Sequence, residues 1–98
     1  MSQYMVEIEL LAVMSEEFTA KIPAQRKKIN EMMEQGIMMS YALSDDYSKL
    51  WCVVRAESEF EVMSIVSEFP LIDFMDPKIC RLMFNNVVAL RLPMFSLN

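Results

Sequence analysis

Residues 37–56 have the sequence IMMSYALSDDYSKLWCVVRA, and the organisation of the whole chain can be worked out from them. The two halves of this stretch, residues 37–44 and 49–56, are rich in large apolar and β-branched side chains, a composition that favours strands. The four residues between them, Asp45-Asp46-Tyr47-Ser48, are polar and typical of a turn. We therefore predict a β-hairpin with a polar tip.

A helix is predicted before this hairpin. Its apolar residues recur three, four or seven positions apart, at Phe18, Ile22, Ile29, Met32 and Met33. Because proline disrupts a helix interior, we expect a turn or short helix first and the main helix from about Pro23 to Gln35. Gly36, the only glycine of the chain, stands where a left-handed C-terminal cap is needed.

A second helix is predicted after the hairpin. Ser58 and Glu61 have the spacing of a capping box, which marks a helix start, and Pro70 closes the helix. An apolar stripe lies between these two signals, formed by Phe60, Met63, Ile65, Val66 and Phe69.

Outer strands are predicted beyond both helices. Residues 4–13 alternate, so that Val6, Ile8 and Leu10 share an apolar face that we expect against the helices. Residues 79–84 are predicted to form the fourth strand. Asn85-Asn86 suits a tight turn, after which residues 87–92 are expected to return as a fifth strand.

This order of elements predicts an α+β fold, a ferredoxin-like βαββαβ sandwich with antiparallel strands in the order 4-1-3-2. One domain would span residues 1–98, with a core of about 4–84 and a C-terminal extension over 85–98 that carries the additional strand. The helices cover only one face of such a sheet. We expect a second copy of the chain to cover the other face, which makes a dimeric α/β barrel.

Composition and charge narrow the functional classes. Of the 98 residues 54% are hydrophobic, more than so small a domain can bury, so a homo-oligomer of two or more subunits is expected. Charged residues interrupt every apolar run, and the N-terminus has no signal-peptide pattern, which predicts a cytoplasmic protein outside the membrane. The net charge of −5 and the scattered basic residues argue against nucleic-acid binding.

The histidine and cysteine content excludes several kinds of site. The chain has no histidine, which removes His-based haem and metal ligation and the usual Ser-His-Asp triad. Cys52 and Cys80 are too few for a metal knuckle, so we expect neither metal nor cofactor. Because strand 1 separates their strands, about 9–10 Å would lie between them, and two reduced, buried thiols are predicted.

The face of the sheet that the helices leave open is predicted to carry charged side chains. Its expected members are Met5, Glu7, Glu9 and Leu11 on strand 1, Trp51, Val53 and Arg55 on strand 3, and Ile79, Arg81 and Met83 on strand 4. Glu7 and Glu9 would then lie between Arg55 and Arg81 in a paired network. The network either fixes strand register and the dimer, or it binds a ligand and transfers protons.

Residues 58–82, SEFEVMSIVSEFPLIDFMDPKICRL, resemble the second helix and last strand of the muconolactone delta-isomerases. The shared features are an acid-rich helix start, a proline–leucine pair, an aromatic-Met-Asp step and a closing strand. SKLWCVVRAES (residues 48–58) is similar to the family's third strand and NEMMEQGIM (residues 30–38) to its helix end. The resemblance covers about residues 5–84 and implies a dimeric α/β barrel with a small-molecule ligand.

The resemblance also suggests chemistry. Moving a proton in a lactone needs a base, for which Glu7 and Glu9 are the catalytic candidates, and Arg55 or Arg81 could hold a substrate carboxylate. However, the isomerases carry basic or imidazole side chains on the first strand where this chain has the two glutamates. This reversal of charge argues against transfer of the isomerase activity, and whether the chain is an enzyme stays open.

Four further residues are predicted to bind a ligand. Leu71 and Phe74 follow Pro70 and either plug the end of the core or line the mouth of a pocket. Trp51 and Tyr41 could line an aromatic barrel, as in cofactor-independent monooxygenases of this fold. Three functions therefore stand: an isomerase-like binder of an apolar or aromatic-derived molecule, a non-catalytic oligomeric module with a structural ion-pair network, and a cofactor-independent monooxygenase.

Overall fold

Four antiparallel strands and two helices make up the fold in a computed structural model, which describes residues 1–87. The elements in chain order are β1 (Ser2–Leu10), α1 (Glu16–Glu34), β2 (Met38–Leu43), β3 (Lys49–Ala56), α2 (Glu59–Val66), a short 3-10 helix (Ile72–Phe74) and β4 (Met75–Leu82). The strand order is β2-β3-β1-β4. The predicted ferredoxin-like βαββαβ fold and its strand order are thereby confirmed.

The hairpin of β2 and β3 has the predicted polar tip. Asp46 organises this tip, because its Oδ1 accepts hydrogen bonds from Ser44 Oγ at 2.8 Å, Ser48 N at 3.0 Å and Ser48 Oγ at 2.7 Å. These bonds hold the pKa of the Asp46 carboxyl down at about 2. A single side chain therefore closes the loop and fixes where the two strands begin to pair.

Helix α1 differs from the prediction, since it is one continuous helix that contains Pro23. A proline removes one backbone hydrogen bond and crowds the preceding turn, but it does not force the helix to end. The helix is anchored on both sides of Pro23, by buried Phe18 before it and buried Gln25 and Ile29 after it. Tertiary packing thus outweighs the local cost of the proline.

Gly36 ends α1 as predicted. Its φ of +76° lies in the left-handed region that favours glycine. The Gly36 N–H bonds to the Met33 carbonyl at 3.1 Å and the Ile37 N–H to the Met32 carbonyl at 2.9 Å. This pair of bonds is the Schellman motif, which satisfies the last helix carbonyls and turns the chain into β2.

Helix α2 begins at the predicted cap but buries a different stripe. Ser58 Oγ accepts a hydrogen bond from Glu61 N at 3.2 Å, while Glu61 Oε1 accepts one from Glu57 N at 2.7 Å. Val62 and Val66 are fully buried, whereas Phe60 is 82% exposed. The prediction that Phe60 and Met63 belong to the buried apolar stripe is therefore wrong. Only the side of this short helix that carries Val62 and Val66 faces the sheet.

The core lies between the helices and one face of the sheet. Its buried members are Tyr4, Val6, Ile8, Phe18, Ile29, Met32, Met38, Leu50, Cys52, Val54, Ala56, Val62, Val66, Phe69, Leu71 and Met75. Leu71 and Met75 place the segment after Pro70 in this core, so it does plug the end of its own domain. Both cysteines are free, as predicted, but only Cys52 is buried, since Cys80 points to the open face and is exposed.

Strand β4 begins four residues earlier than predicted, at Met75, and includes Pro77. Proline is tolerated there because β4 is an edge strand, which needs backbone donors on one side only. After β4, residues 84–87 have no regular secondary structure, so the predicted turn at Asn85-Asn86 is not formed. The rest of the predicted fifth strand, residues 88–92, lies outside the described residues.

Candidate functional site

A cleft of about 510 Å³ lies on the helix side of the sheet, between α1 and the β2–β3 hairpin. Side chains of α1 form one wall, strand residues form the other, and Leu71 closes one end. Its lining residues are Leu10, Phe18, Ile22, Gln25, Arg26, Ile29, Asn30, Met33, Tyr41, Leu43, Tyr47, Leu50 and Leu71. Most of these are apolar or aromatic, and Arg26 is the one charged side chain among them. Such a cavity suits a mostly apolar small molecule.

A buried polar network crosses this cleft. Gln25 of α1 is only 4% exposed, and its Oε1 accepts a hydrogen bond from the Leu71 backbone N–H at 3.1 Å. Its Nε2 donates a hydrogen bond to the Tyr41 hydroxyl of β2, also at 3.1 Å. One amide therefore links the first helix, the edge strand and the segment after Pro70. Burial raises the pKa of the Tyr41 phenol, which keeps this side chain neutral.

Leu71 and Tyr41, two of the predicted ligand-binding residues, line the cleft. Leu71 lies at its end, whereas Phe74 packs behind the wall, with its ring edge-to-face on Phe18 at 5.5 Å between centroids. Tyr41 also lines the cleft, but it does not share a face with Trp51 as predicted. An irregularity between Met38 and Ser40 shifts the alternation of β2, so Tyr41 turns toward the helices.

Trp51 lies on the open face of the sheet, as predicted, beside Glu7. The indole Nε1 of Trp51 donates a hydrogen bond to Glu7 Oε1 at 3.2 Å, and Lys49 Nζ lies 3.5 Å from Glu7 Oε2. The bond from Trp51 and then the charge of Lys49 lower the pKa of Glu7. Glu7 is therefore held as a carboxylate by a neighbour pair on β3.

The predicted placement of both arginines beside the glutamates is wrong. Arg55 pairs with Gln3, which is four residues and about 13 Å along the strand from Glu7. Arg81 pairs with Tyr4 on the helix side and donates a hydrogen bond to Ser2 Oγ at 3.0 Å. The strand register places Trp51 and Lys78 opposite Glu7 instead, and Lys49 reaches Glu7 diagonally from its place opposite Glu9. Arg55 is on the predicted face but too far along the strand, whereas a one-residue shift of β4, which exchanges the two faces of that strand, accounts for the error at Arg81.

The same register corrects two more residues of β4. Ile79 pairs with Val6 and packs against the helix-side core, and Cys80 takes the place on the open face. Glu9 pairs with Lys49 and with Asp76, so one of its cross-strand neighbours has the same charge. The open face therefore carries a charged patch at the Glu7 end and apolar side chains, including Met5 and Val53, farther along.

Gln25 is the site residue that the sequence analysis missed. It lies at a position of the α1 stripe that apolar residues otherwise occupy, three residues after Ile22 and four before Ile29. A polar residue within an apolar stripe is the signal that could have indicated it, since a buried amide requires hydrogen-bond partners.

Within residues 1–87, no group of three or more cysteine or acidic side chains is placed to hold a metal ion. The helices in this part of the chain are also too short or too polar to cross a membrane.

Comparison with known proteins adds one finding. The family model described as muconolactone delta-isomerase matches residues 3–84, which include every helix and strand described above except the first residue of β1. A comparison with curated proteins found no match.

Proposed function

The chain belongs to the muconolactone delta-isomerase family, and from this premise we propose that it binds a small apolar or aromatic-derived molecule in the cleft between α1 and the β2–β3 hairpin. The observation that carries the proposal is the lining itself. Nine apolar or aromatic side chains surround one buried amide and one partly buried phenol hydroxyl, those of Gln25 and Tyr41. Ligand pockets combine apolar walls and few orienting polar groups in the same way.

Binding in the cleft does not depend on catalysis. None of the lining residues within 1–87 carries a carboxylate, and Glu7 lies on the opposite face of the sheet. The lowered pKa of Glu7 also makes it a weaker base than an ordinary glutamate. The catalytic role of Glu7 and Glu9 stays a prediction, and isomerase activity is not part of this proposal.

The binding proposal is tested by obstructing the cleft. Met33 lines it from α1 and is 41% exposed, so Met33→Trp should fill the space with little disturbance of the core. Ala24→Trp is the matched control, since Ala24 lies on the exposed side of the same helix. Naphthalene, followed by amide chemical shifts in ¹H–¹⁵N spectra, should bind the wild type and Ala24→Trp at cleft residues and bind Met33→Trp at least tenfold more weakly. Shift changes confined to other surfaces would refute the proposal.

We further propose that a second copy of the chain covers the open face of the sheet, as the family resemblance implies. This face presents Met5 and Trp51 next to the Glu7–Lys49 pair, a mixture of apolar area and matched charges that suits an interface between subunits. Light scattering after gel filtration should give at least twice the mass of one chain. Met5→Asp should lower that mass, Ala24→Asp should not, and an unchanged mass for Met5→Asp would contradict this interface.

A further inference from the structure

We infer that the ligand of the cleft is a neutral apolar molecule with a carbonyl oxygen, to which the Tyr41 hydroxyl donates a hydrogen bond, and that Gln25 is the positioning residue that directs this proton. The inference rests on the proposed function, since it specifies what the cleft binds. It is carried by the direction of the two hydrogen bonds that Gln25 makes.

The orientation of the Gln25 amide is fixed by Leu71. The backbone N–H of Leu71 is a donor only, so the atom that faces it must be the amide oxygen of Gln25. The amide nitrogen then faces Tyr41, and an NH₂ group is a donor only. A flipped amide would set two donors against each other at Leu71, inside a buried site where an unmet donor is costly.

The Tyr41 hydroxyl is consequently the acceptor in its bond with Gln25. A phenol has one proton to donate, and the oxygen lone pair that faces Gln25 is already in use. The hydrogen bonds among the described residues give this proton no acceptor. Since Tyr41 lines the cleft, the proton is available to a molecule that enters it.

The remaining lining favours a neutral ligand over an anion at this position. The neighbours of the pair are the apolar walls that Ile22, Ile29 and Leu50 provide, and these cannot solvate a charge. Arg26, the one charged side chain of the lining, is exposed, so its charge is solvated by water. Burial also raises the pKa of Tyr41, so the donor persists through the neutral range.

Three probes of similar size separate the alternatives: 2-acetylnaphthalene carries an acceptor, 2-ethylnaphthalene carries none, and 2-naphthol carries a donor. Calorimetric titration of the wild type should show the ketone binding roughly fivefold to tenfold more tightly than the hydrocarbon, the value of one hydrogen bond. Tyr41→Phe should abolish this preference, so that the ketone and the hydrocarbon bind the variant equally well. A preference that survives in Tyr41→Phe overturns the inference.

Gln25→Glu provides a readout that loss of structure would not produce. Burial raises the pKa of a carboxyl at this position, so the variant is measured at a pH above that pKa, where its carboxylate accepts from both Leu71 N–H and Tyr41 O–H. The phenol proton is then turned away from the cleft, and the phenol oxygen is left as an acceptor. The variant should therefore prefer 2-naphthol to 2-acetylnaphthalene, a reversal of the wild-type order. Equal loss of all three probes, or an unchanged order, overturns the positioning role of Gln25.

The outcomes also distinguish this inference from the proposed function. If the ketone and the hydrocarbon bind the cleft equally well in the wild type, the cleft remains a binding site and the Tyr41 inference fails. If neither probe shifts the amide signals of α1, β2 or Leu71, the binding function and the inference fail together.

Discussion

Trp51 and Glu7 are joined across neighbouring strands by a hydrogen bond of 3.2 Å from the indole Nε1 to the carboxylate Oε1. The bond lies on the sheet face that no helix covers, and Lys49 approaches the second carboxylate oxygen at 3.5 Å. This cross-strand hydrogen bond holds the Glu7 side chain as a carboxylate and supports the register of β1 against β3. The predicted inner ion-pair network thus exists in part, with Trp51 and Lys49 in place of the two arginines.

The first prediction concerns the pKa of Glu7. Trp51→Phe removes the largest cause of its lowered pKa and should raise that pKa toward its usual range, as measured by NMR titration of the side-chain carboxyl. Lys49→Gln should raise it too, by an amount that shrinks with added salt because the pair is exposed. An unchanged Glu7 pKa in Trp51→Phe would show that the indole bond is absent in solution.

The same pair predicts a pH dependence of stability. Because the pKa of Glu7 is lower in the folded than in the unfolded chain, ionised Glu7 stabilises the fold above its ordinary pKa of 4.5. This stabilisation is lost as the pH falls through the lowered value. The free energies of unfolding of the wild type and Glu7→Gln, measured with denaturant, should therefore differ at pH 7 and converge in acid. A difference that grows in acid would contradict this prediction.

The second prediction concerns the hairpin tip. Asp46 has a pKa of about 2, well below its ordinary 3.8, because Ser48 and Ser44 donate to it. Its contribution to stability should be complete above pH 3.8 and be lost as the pH falls through about 2. Asp46→Ala should remove this acid-dependent part, whereas Asp45→Ala, next to it and exposed, should keep it. Equal pH profiles for the two variants would argue against the tip network.

The third prediction concerns the end of α1. An added Cβ at Gly36 would meet no atom within 4 Å, so the cost of a substitution comes from the backbone alone. Gly36→Ala should lower the free energy of unfolding by about 1–2 kcal/mol because φ is +76°. Gly36→Asn should cost less, since asparagine tolerates this conformation better. Equal costs for the two variants, measured by urea unfolding, would mean that crowding rather than φ sets the penalty.

The fourth prediction compares two phenylalanines at opposite ends of α2. Phe69 is 1% exposed, so Phe69→Ala should lower the free energy of unfolding by about 3–5 kcal/mol through the cavity that it leaves. Phe60 is 82% exposed, and Phe60→Ala should change stability by less than about 0.5 kcal/mol. If Phe69→Ala does not fold, Phe69→Leu keeps the comparison measurable. A cost at Phe60 as large as that at Phe69 would place Phe60 in an interface.

Much of the fold could be predicted because its signals are local. The strand at residues 49–56 and its polar tip were found from composition, and Gly36 and Ser58 marked helix boundaries through their own backbone chemistry. The period of β1 told which side chains face the helices. Each of these features depends on neighbours within a few positions, and the order of elements then leaves few topologies for the sheet.

The candidate site could be predicted only in part. Leu71 and Tyr41, both predicted to bind a ligand, do line the cleft, but Tyr41 was assigned to the wrong face, because one irregular residue pair in β2 reverses the alternation after it. Both arginines were placed beside the glutamates from the order of the strands alone, because the registers of β3 and β4 against β1 cannot be read from the sequence. Pro23 was expected to break α1, and the packing of Gln25 and Ile29 beyond it keeps the helix whole.

The sequence by itself determined the family, the element order and the apolar faces of β1 and β3, because periodicity and capping are properties of short segments. Only the tertiary structure decided which residues meet. The Gln25 side chain is hydrogen-bonded to Tyr41, which is 16 positions away in the sequence, and to Leu71, which is 46 positions away. No local sequence pattern links these residues. Burial leaves each of their polar groups in need of a partner, and that requirement acts only once the chain is folded.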